Sequence, residues 1–95
     1  MITMSREIKI SVHKDFGRRY ISYLLEQFVM LSSHIYISKD GDRTVNAKSM
    51  LGLLSLGIMN GDEITVGVVN DNTSVMSSDL TRVIEILECD GNEGV

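Results

Sequence analysis

Ser49 ends the run Val45-Asn46-Ala47-Lys48-Ser49 and leads into the apolar run Met50-Leu51-Gly52-Leu53-Leu54-Ser55-Leu56, which Gly57 stops. The pattern predicts a short helix from about Lys48 to Leu56, with Gly57 as its terminating residue. A hydroxyl at a helix start lies among unpaired backbone N–H groups and the positive end of the dipole, which favour an anion. The chemistry this suggests is phosphorylation of Ser49, placing charge directly beside exposed apolar side chains. Met50, Leu51 and Leu54 share one face of the predicted helix. Leu53 and Leu56 can pack it on a sheet, which leaves the first three free to form a small partner-binding patch on one of two readings that the residues alone leave even. The competing reading buries all of them in the core. Lys48 is a candidate to pair with an added phosphate, although a lone lysine there is usually solvated.

A second cluster is Gly17-Arg18-Arg19. Glycine at a helix start leaves N–H groups open, and two guanidinium forks suit an oxyanion. A plain solvated helix start is the stronger reading of the two. Arginines at a helix N-terminus oppose the dipole, a mild cost that hints at another use. His13 reads as an exposed or capping histidine and His34 as structural. Met30, Met59 and Met76 read as core filler, and Asp79 as an acid favouring the start of the last helix. Asp62, Glu63, Asp71 and Asp79 form no convincing metal or acid/base pair. No Cys/His metal spacing, phosphate loop or nucleophile elbow occurs, so neither metal nor cofactor is called for.

The elements that carry these residues follow from periodicity. Glu7 to Val12 alternates, with Ile8, Ile10 and Val12 on one face, as in a half-buried strand. From Arg18 or Arg19 to about Leu31 the stripe Ile21, Leu24, Leu25, Phe28 predicts an amphipathic helix. Ile35 to Lys39 alternates, Asp40-Gly41 signals a tight turn, and Arg43 to Asn46 returns. Ile64, Val66 and Val68 mark another strand; Leu80, Val83, Ile84 and Leu87 mark a helix beginning near Ser74 to Ser78. The order is βαββαβα, an α+β two-layer domain with one covered sheet face. A single domain over 1–95 is expected, its core about 7–88, with short tails 1–6 and 89–95.

Asn46-Ala47-Lys48-Ser49, the helix after it, and Asn60-Gly61-Asp62-Glu63-Ile64-Thr65-Val66 closely resemble the HPr phosphocarrier family of the bacterial sugar phosphotransferase system. The resemblance spans roughly Glu7 to Glu88. It implies an open-faced sandwich: a four-stranded antiparallel sheet with three helices on one face. HPr-like carriers hold the pattern Gly-Leu-His-Thr-Arg-Pro-Ala, whose histidine takes and passes on phosphate. Laid on this chain, that pattern puts Gly17 at the histidine, Arg18 at the threonine, Arg19 at the arginine and Tyr20 at the proline, with Phe16 keeping the apolar place before the site. Glycine has no nucleophile, so the usual carrier reaction is expected to be lost and no catalytic residue is assigned. His13, four residues earlier, is a weak substitute. The resemblance further implies phosphorylation of Ser49 by HPr kinase/phosphorylase and binding to a LacI-type catabolite repressor or other phosphotransferase-system proteins. It points to the catabolite-repression HPr-like class, which lacks the active histidine, though that class carries glutamine where this chain has Gly17. Relatives can exchange their first strand, so a homodimer is compatible with the fold.

Composition sets outer bounds. Ninety-five residues suit one modest core. A net charge of −4 with no basic tract argues against nucleic acid as a partner. No apolar run reaches the ~20 residues of a membrane helix, and the start lacks a signal-peptide pattern. The single cysteine, Cys89, cannot form an internal disulfide, and a cytoplasmic protein is expected. The leading expectation is a non-catalytic HPr-like regulator acting through Ser49. Its alternatives are an active carrier using His13 and an HPr-fold module for an unrelated partner.

Overall fold

A computed structural model describes residues 4–41 and 43–88. Four strands and three helices follow in the order β1 (Met4–Ser11), α1 (Arg18–Phe28), β2 (His34–Lys39), β3 (Arg43–Asn46), α2 (Met50–Leu56), β4 (Glu63–Asn70) and α3 (Thr73–Glu88). The strands form one antiparallel sheet in the order β1-β4-β2-β3, an HPr-like α+β open sandwich.

Register follows from which residues must be buried. Ile8 faces Val66 and Ile10 faces Ile64 across β1 and β4. Ile35 faces Val68 and Ile37 faces Val66 across β2 and β4. A slip of one residue would turn this apolar set to solvent. The helices supply Tyr20, Ile21, Leu24 and Phe28 from α1, Leu53 and Leu56 from α2, and Met76, Val83, Ile86 and Leu87 from α3. Each large side chain fully withdrawn from water stabilises the domain by about 1.5–3 kcal/mol.

The other sheet face is polar. Ser5, Glu7, Lys9, Ser11 and Glu63 are exposed there. Tyr36 crosses it: its hydroxyl donates to Glu7 Oε2 at 3.0 Å, reaching over β4. The ring lies against Gly67, where any Cβ would collide with it. Burial, and then the neighbouring Glu7 carboxylate, push the phenol above its ordinary 10.0.

Several local expectations need correcting. β1 pairs from Met4, ahead of the expected Glu7. α1 ends at Phe28 rather than near Leu31, because the chain tightens into turn bonds: Met30 N–H donates to Gln27 O and Leu31 N–H to Phe28 O. That turn carries Met30 into solvent at 81% exposure, and Met59, just before the Asn60-Gly61 turn, is 58% exposed. Neither fills the core; Met76 does. α3 begins at Thr73, with the Asn72 side chain accepting from Val75 N–H at 3.1 Å. Asp79 therefore lies inside the helix, not at its start. It is buried, and its Oδ2 accepts from Ser33 N–H at 3.0 Å. The segment from Cys89 onward, with its thiol, lies outside the described residues.

Candidate functional site

The loop from β1 to α1 is stitched to the loop from α2 to β4. Val12 N–H donates to Asp62 O, Gly61 N–H to Val12 O, Phe16 N–H to Ile58 O, and Asn60 N–H to Asp15 Oδ1. Buried Phe16 and Val12 pin the same loop from below. This fixes Gly17 as the cap of α1, with φ −79° and ψ 174° and its carbonyl accepting from Ile21 N–H at 2.9 Å. Extended backbone of this kind suits any residue. No side chain caps the helix and its first turn holds no acid.

Beside Gly17 lies a depression of about 590 Å³ lined by Lys14, Asp15, Gly17, Arg18, Arg19, Tyr20 and Tyr23. Three cations and one carboxylate make it locally positive on an acidic protein. Its wall is aromatic. Phe16 meets Tyr20 edge-on at 5.2 Å, Tyr20 stacks on Tyr23 at 6.1 Å, and Lys14 Nζ stands 5.0 Å from the Tyr20 ring centroid. Donors and guanidinium groups here suit an anion. Residue 17 itself offers no atom that could be phosphorylated.

The start of α2 is built differently. Asn46 Oδ1 accepts from Lys48 N–H at 2.9 Å and Asn46 O from Ser49 N–H at 3.0 Å, turning the chain out of β3. Ala47 is fully buried and its N–H donates to Ile35 O at 2.9 Å. Ser49 then caps α2: Oγ accepts from Gly52 N–H at 3.1 Å and its carbonyl from Leu53 N–H at 3.0 Å. Gly52 permits this close packing, since a Cβ there would lie 3.1 Å from Val45 Cβ and 3.3 Å from Ser49 Oγ. At the other end Gly57 takes φ 61°, the left-handed cap that glycine adopts readily.

Leu53 and Leu56 are buried, Leu51 is 79% exposed and Leu54 is 36% exposed. Met50 is half-buried against the core, so it belongs to the patch only in part. Lys48 departs from the solvated expectation. Its Nζ donates to Leu31 O at 2.6 Å, partly buried, tying the start of α2 to the turn after α1.

The family model for the PTS HPr component phosphorylation site matches residues 4–85. This chain belongs to the HPr family. Its likeness is strong to the HPr-like protein Crh of Halalkalibacterium halodurans, 32% identical over 63 residues, which are 66% of this chain and 74% of that protein. The phosphocarrier protein HPr of Bacillus anthracis superposes with a TM-score of 0.70 at 26% identity, over 90% of this chain and 96% of its own. HPr-C-His of Thermoanaerobacter tengcongensis superposes with a TM-score of 0.74 at 22% identity, over 97% and 99%.

Within this HPr fold, Gly17, Arg18 and Arg19 gather at one depression, while Lys48, Ser49, Met50, Leu51 and Leu54 gather at the start of α2. His13 is exposed on the strand exit and does not line the depression, so no imidazole is brought to Arg19 there. His34 is exposed at the start of β2. Sequence reasoning passed over Lys14, Tyr20 and Tyr23 as walls of the depression. The available signal was spacing: Tyr20 and Tyr23 are three apart, hence neighbours on one helix face.

Proposed function

We propose that this chain is a non-catalytic, cytoplasmic regulatory protein of the sugar phosphotransferase and carbon catabolite system. It acts by binding other proteins and is switched by phosphorylation of Ser49. The observation that carries this reading is the Ser49 hydroxyl at the start of α2 beside exposed Leu51 and Leu54. A phosphate at that oxygen brings close to two negative charges against an apolar patch and alters what the patch can dock with. It also competes with the Leu31 carbonyl for the Lys48 ammonium.

Gly17 supports the non-carrier half of the proposal, since a phosphoryl group needs a nucleophilic atom and glycine has none. The partners in this reading are an HPr kinase/phosphorylase and a LacI-type repressor or another phosphotransferase-system protein.

The test is paired phosphorylation of one sample. With HPr kinase/phosphorylase and ATP, the chain gains one phosphoryl group, and Ser49→Ala does not. With enzyme I and phosphoenolpyruvate, it gains no acid-labile phosphate. Failure of the first arm with a compatible kinase removes the regulatory reading. A phosphate in the second arm that disappears in His13→Ala makes the protein a carrier.

A further inference from the structure

Lys48 is the only lysine or arginine in the sequence between Arg43 and Arg82. Lys39 and Arg43 are engaged at the far end of α2: Lys39 Nζ donates to Gly57 O at 3.0 Å, and the Arg43 guanidinium reaches Ser55 O and Ser55 Oγ at 3.4 and 3.2 Å. Lys48 is thus the cation that the chain places at the start of α2, one residue ahead of the Ser49 cap.

Its ammonium serves a different helix. The last turn of α1 holds no basic side chain, although a helix end of that kind exposes carbonyls and favours a cation. Lys48 supplies one from outside, through the 2.6 Å contact with Leu31 O. The turn beneath that contact is thinly held. Met30 N–H reaches Gln27 O only at 3.3 Å, just past the usual range, and the Val29 and Met30 side chains stand in solvent. Two residues further on the chain is fixed independently. Ser33 N–H donates to Asp79 Oδ2 and Ser33 Oγ accepts from Asn70 Nδ2, each at 3.0 Å. Residues 29–31 are therefore a loose span between α1 and a firm anchor, and Lys48 ties that span to α2.

A phosphate on Ser49 offers the ammonium a stronger partner. Transfer of the γ-phosphoryl group from ATP forms the bond from phosphorus to Oγ, breaks the bond to the ADP oxygen and releases the hydroxyl proton. The product carries about −1.5 to −2 charges where there was none. A lysine paired with an anion is held more strongly than one donating to a neutral carbonyl. Its flexible four-carbon stem lets the ammonium change partner while the backbone stays in place.

We infer that Lys48 is a two-position relay. Its ammonium rests on the Leu31 carbonyl while Ser49 is a free hydroxyl and turns to the phosphate once Ser49 is esterified, so that a modification at the start of α2 loosens residues 29–31 at the end of α1. The relay rests on the reading of Ser49 as a switch and adds to it a second, distant output.

Hydrogen exchange followed by NMR tests it. Ser49→Glu places a carboxylate at the cap, and Ser49→Gln is its neutral match in shape. Residues 29–31 should exchange roughly fivefold faster in the Glu variant than in the Gln variant, the effect of about one lost hydrogen bond, while Ser33 and β4 keep their protection. Adding Lys48→Met to both should abolish the difference between them. The parent carrying one phosphoryl group by mass should show the same acceleration. Phosphorylation at Ser49 with unchanged exchange at 29–31 overturns the relay and leaves the switch standing. Equal exchange in Ser49→Glu and Ser49→Gln overturns it as well, whether or not a kinase modifies the parent. So does a difference that survives Lys48→Met, since the charge then acts without the ammonium.

Discussion

The Lys48 ammonium and the Leu31 carbonyl meet at 2.6 Å, and through them the residue before the α2 cap holds the turn that ends α1. An ammonium is a strong donor, and a carbonyl just past a helix end has few other partners. The contact joins the Ser49 cap to the turn that carries the exposed pair Val29 and Met30, at 67% and 81%.

Lys48→Met keeps the stem and removes the charge. It is expected to lower stability by about 1–2 kcal/mol, since the donor is charged and partly buried. Urea unfolding measures the loss. Hydrogen exchange locates it: the amides of Val29, Met30 and Leu31 should exchange faster, while those of β4 keep their protection.

Asp79 carries a different burden. Removing its carboxylate leaves the Ser33 N–H without its acceptor in the interior. Asp79→Ala is expected to cost about 2–3 kcal/mol and Asp79→Asn less, because the amide oxygen can still accept. Equal losses in the two variants would mean that the hydrogen bond at 3.0 Å is not what Asp79 supplies.

Gly17→His should fold as well as the parent, within about 0.5 kcal/mol. Its backbone is extended, and a Cβ there meets nothing within 4 Å. The variant returns an imidazole to the edge of the depression beside Arg18 and Arg19. Given enzyme I and phosphoenolpyruvate, it should acquire an acid-labile phosphate that the parent does not. A folded but inert variant would show that restoring the imidazole alone does not restore the carrier reaction.

Asp62 gives a pH signature. Its Oδ2 accepts from Met59 N–H at 2.8 Å and from Lys39 Nζ at 3.0 Å. These hold the carboxyl below the usual 3.8, the Met59 hydrogen bond first and Lys39 after it. The unfolded chain therefore takes up this proton at higher pH than the folded one. The stabilisation is complete above 3.8 and is lost as pH falls through the lowered value. Asp62→Asn should unfold more easily than the parent at neutral pH, and the gap should narrow below about pH 4. Thermal unfolding across an acid series checks it.

What the sequence disclosed was mainly local. Alternation announced Ile64, Val66 and Val68, a three-and-four stripe announced Ile21, Leu24 and Phe28, and Gly57 marked the end of α2. These signals lie within one element and need no knowledge of the rest of the chain. The pairing of β1 with β4 is not of that kind: the family resemblance implied an antiparallel four-stranded sheet, and only the fold supplies the strand order. Asp79 shows the same limit. An acid near a predicted helix start suggests a dipole role, but its partner, Ser33, lies 46 residues away, and only the packed fold brings them together. Hydrophobicity misplaced Met30 and Met59 because turns overrode it. At the candidate site, residue 17 was readable as a glycine and the Tyr20–Tyr23 spacing was there to be read, whereas Lys14 was not, since it reaches the Tyr20 ring from a loop of no regular period.

The oxygen that closes the first turn of α2 is the one a kinase would esterify. Replacing Ser49 with an aliphatic residue would cost the helix about 1 kcal/mol even in a cell that never modified it. A lineage that abandoned the switch would still be held to a short hydrogen-bonding side chain at that position. The fold thus asks for a capping side chain at position 49 for its own reasons, and serine is one of the few residue types that meet that need while also offering a hydroxyl.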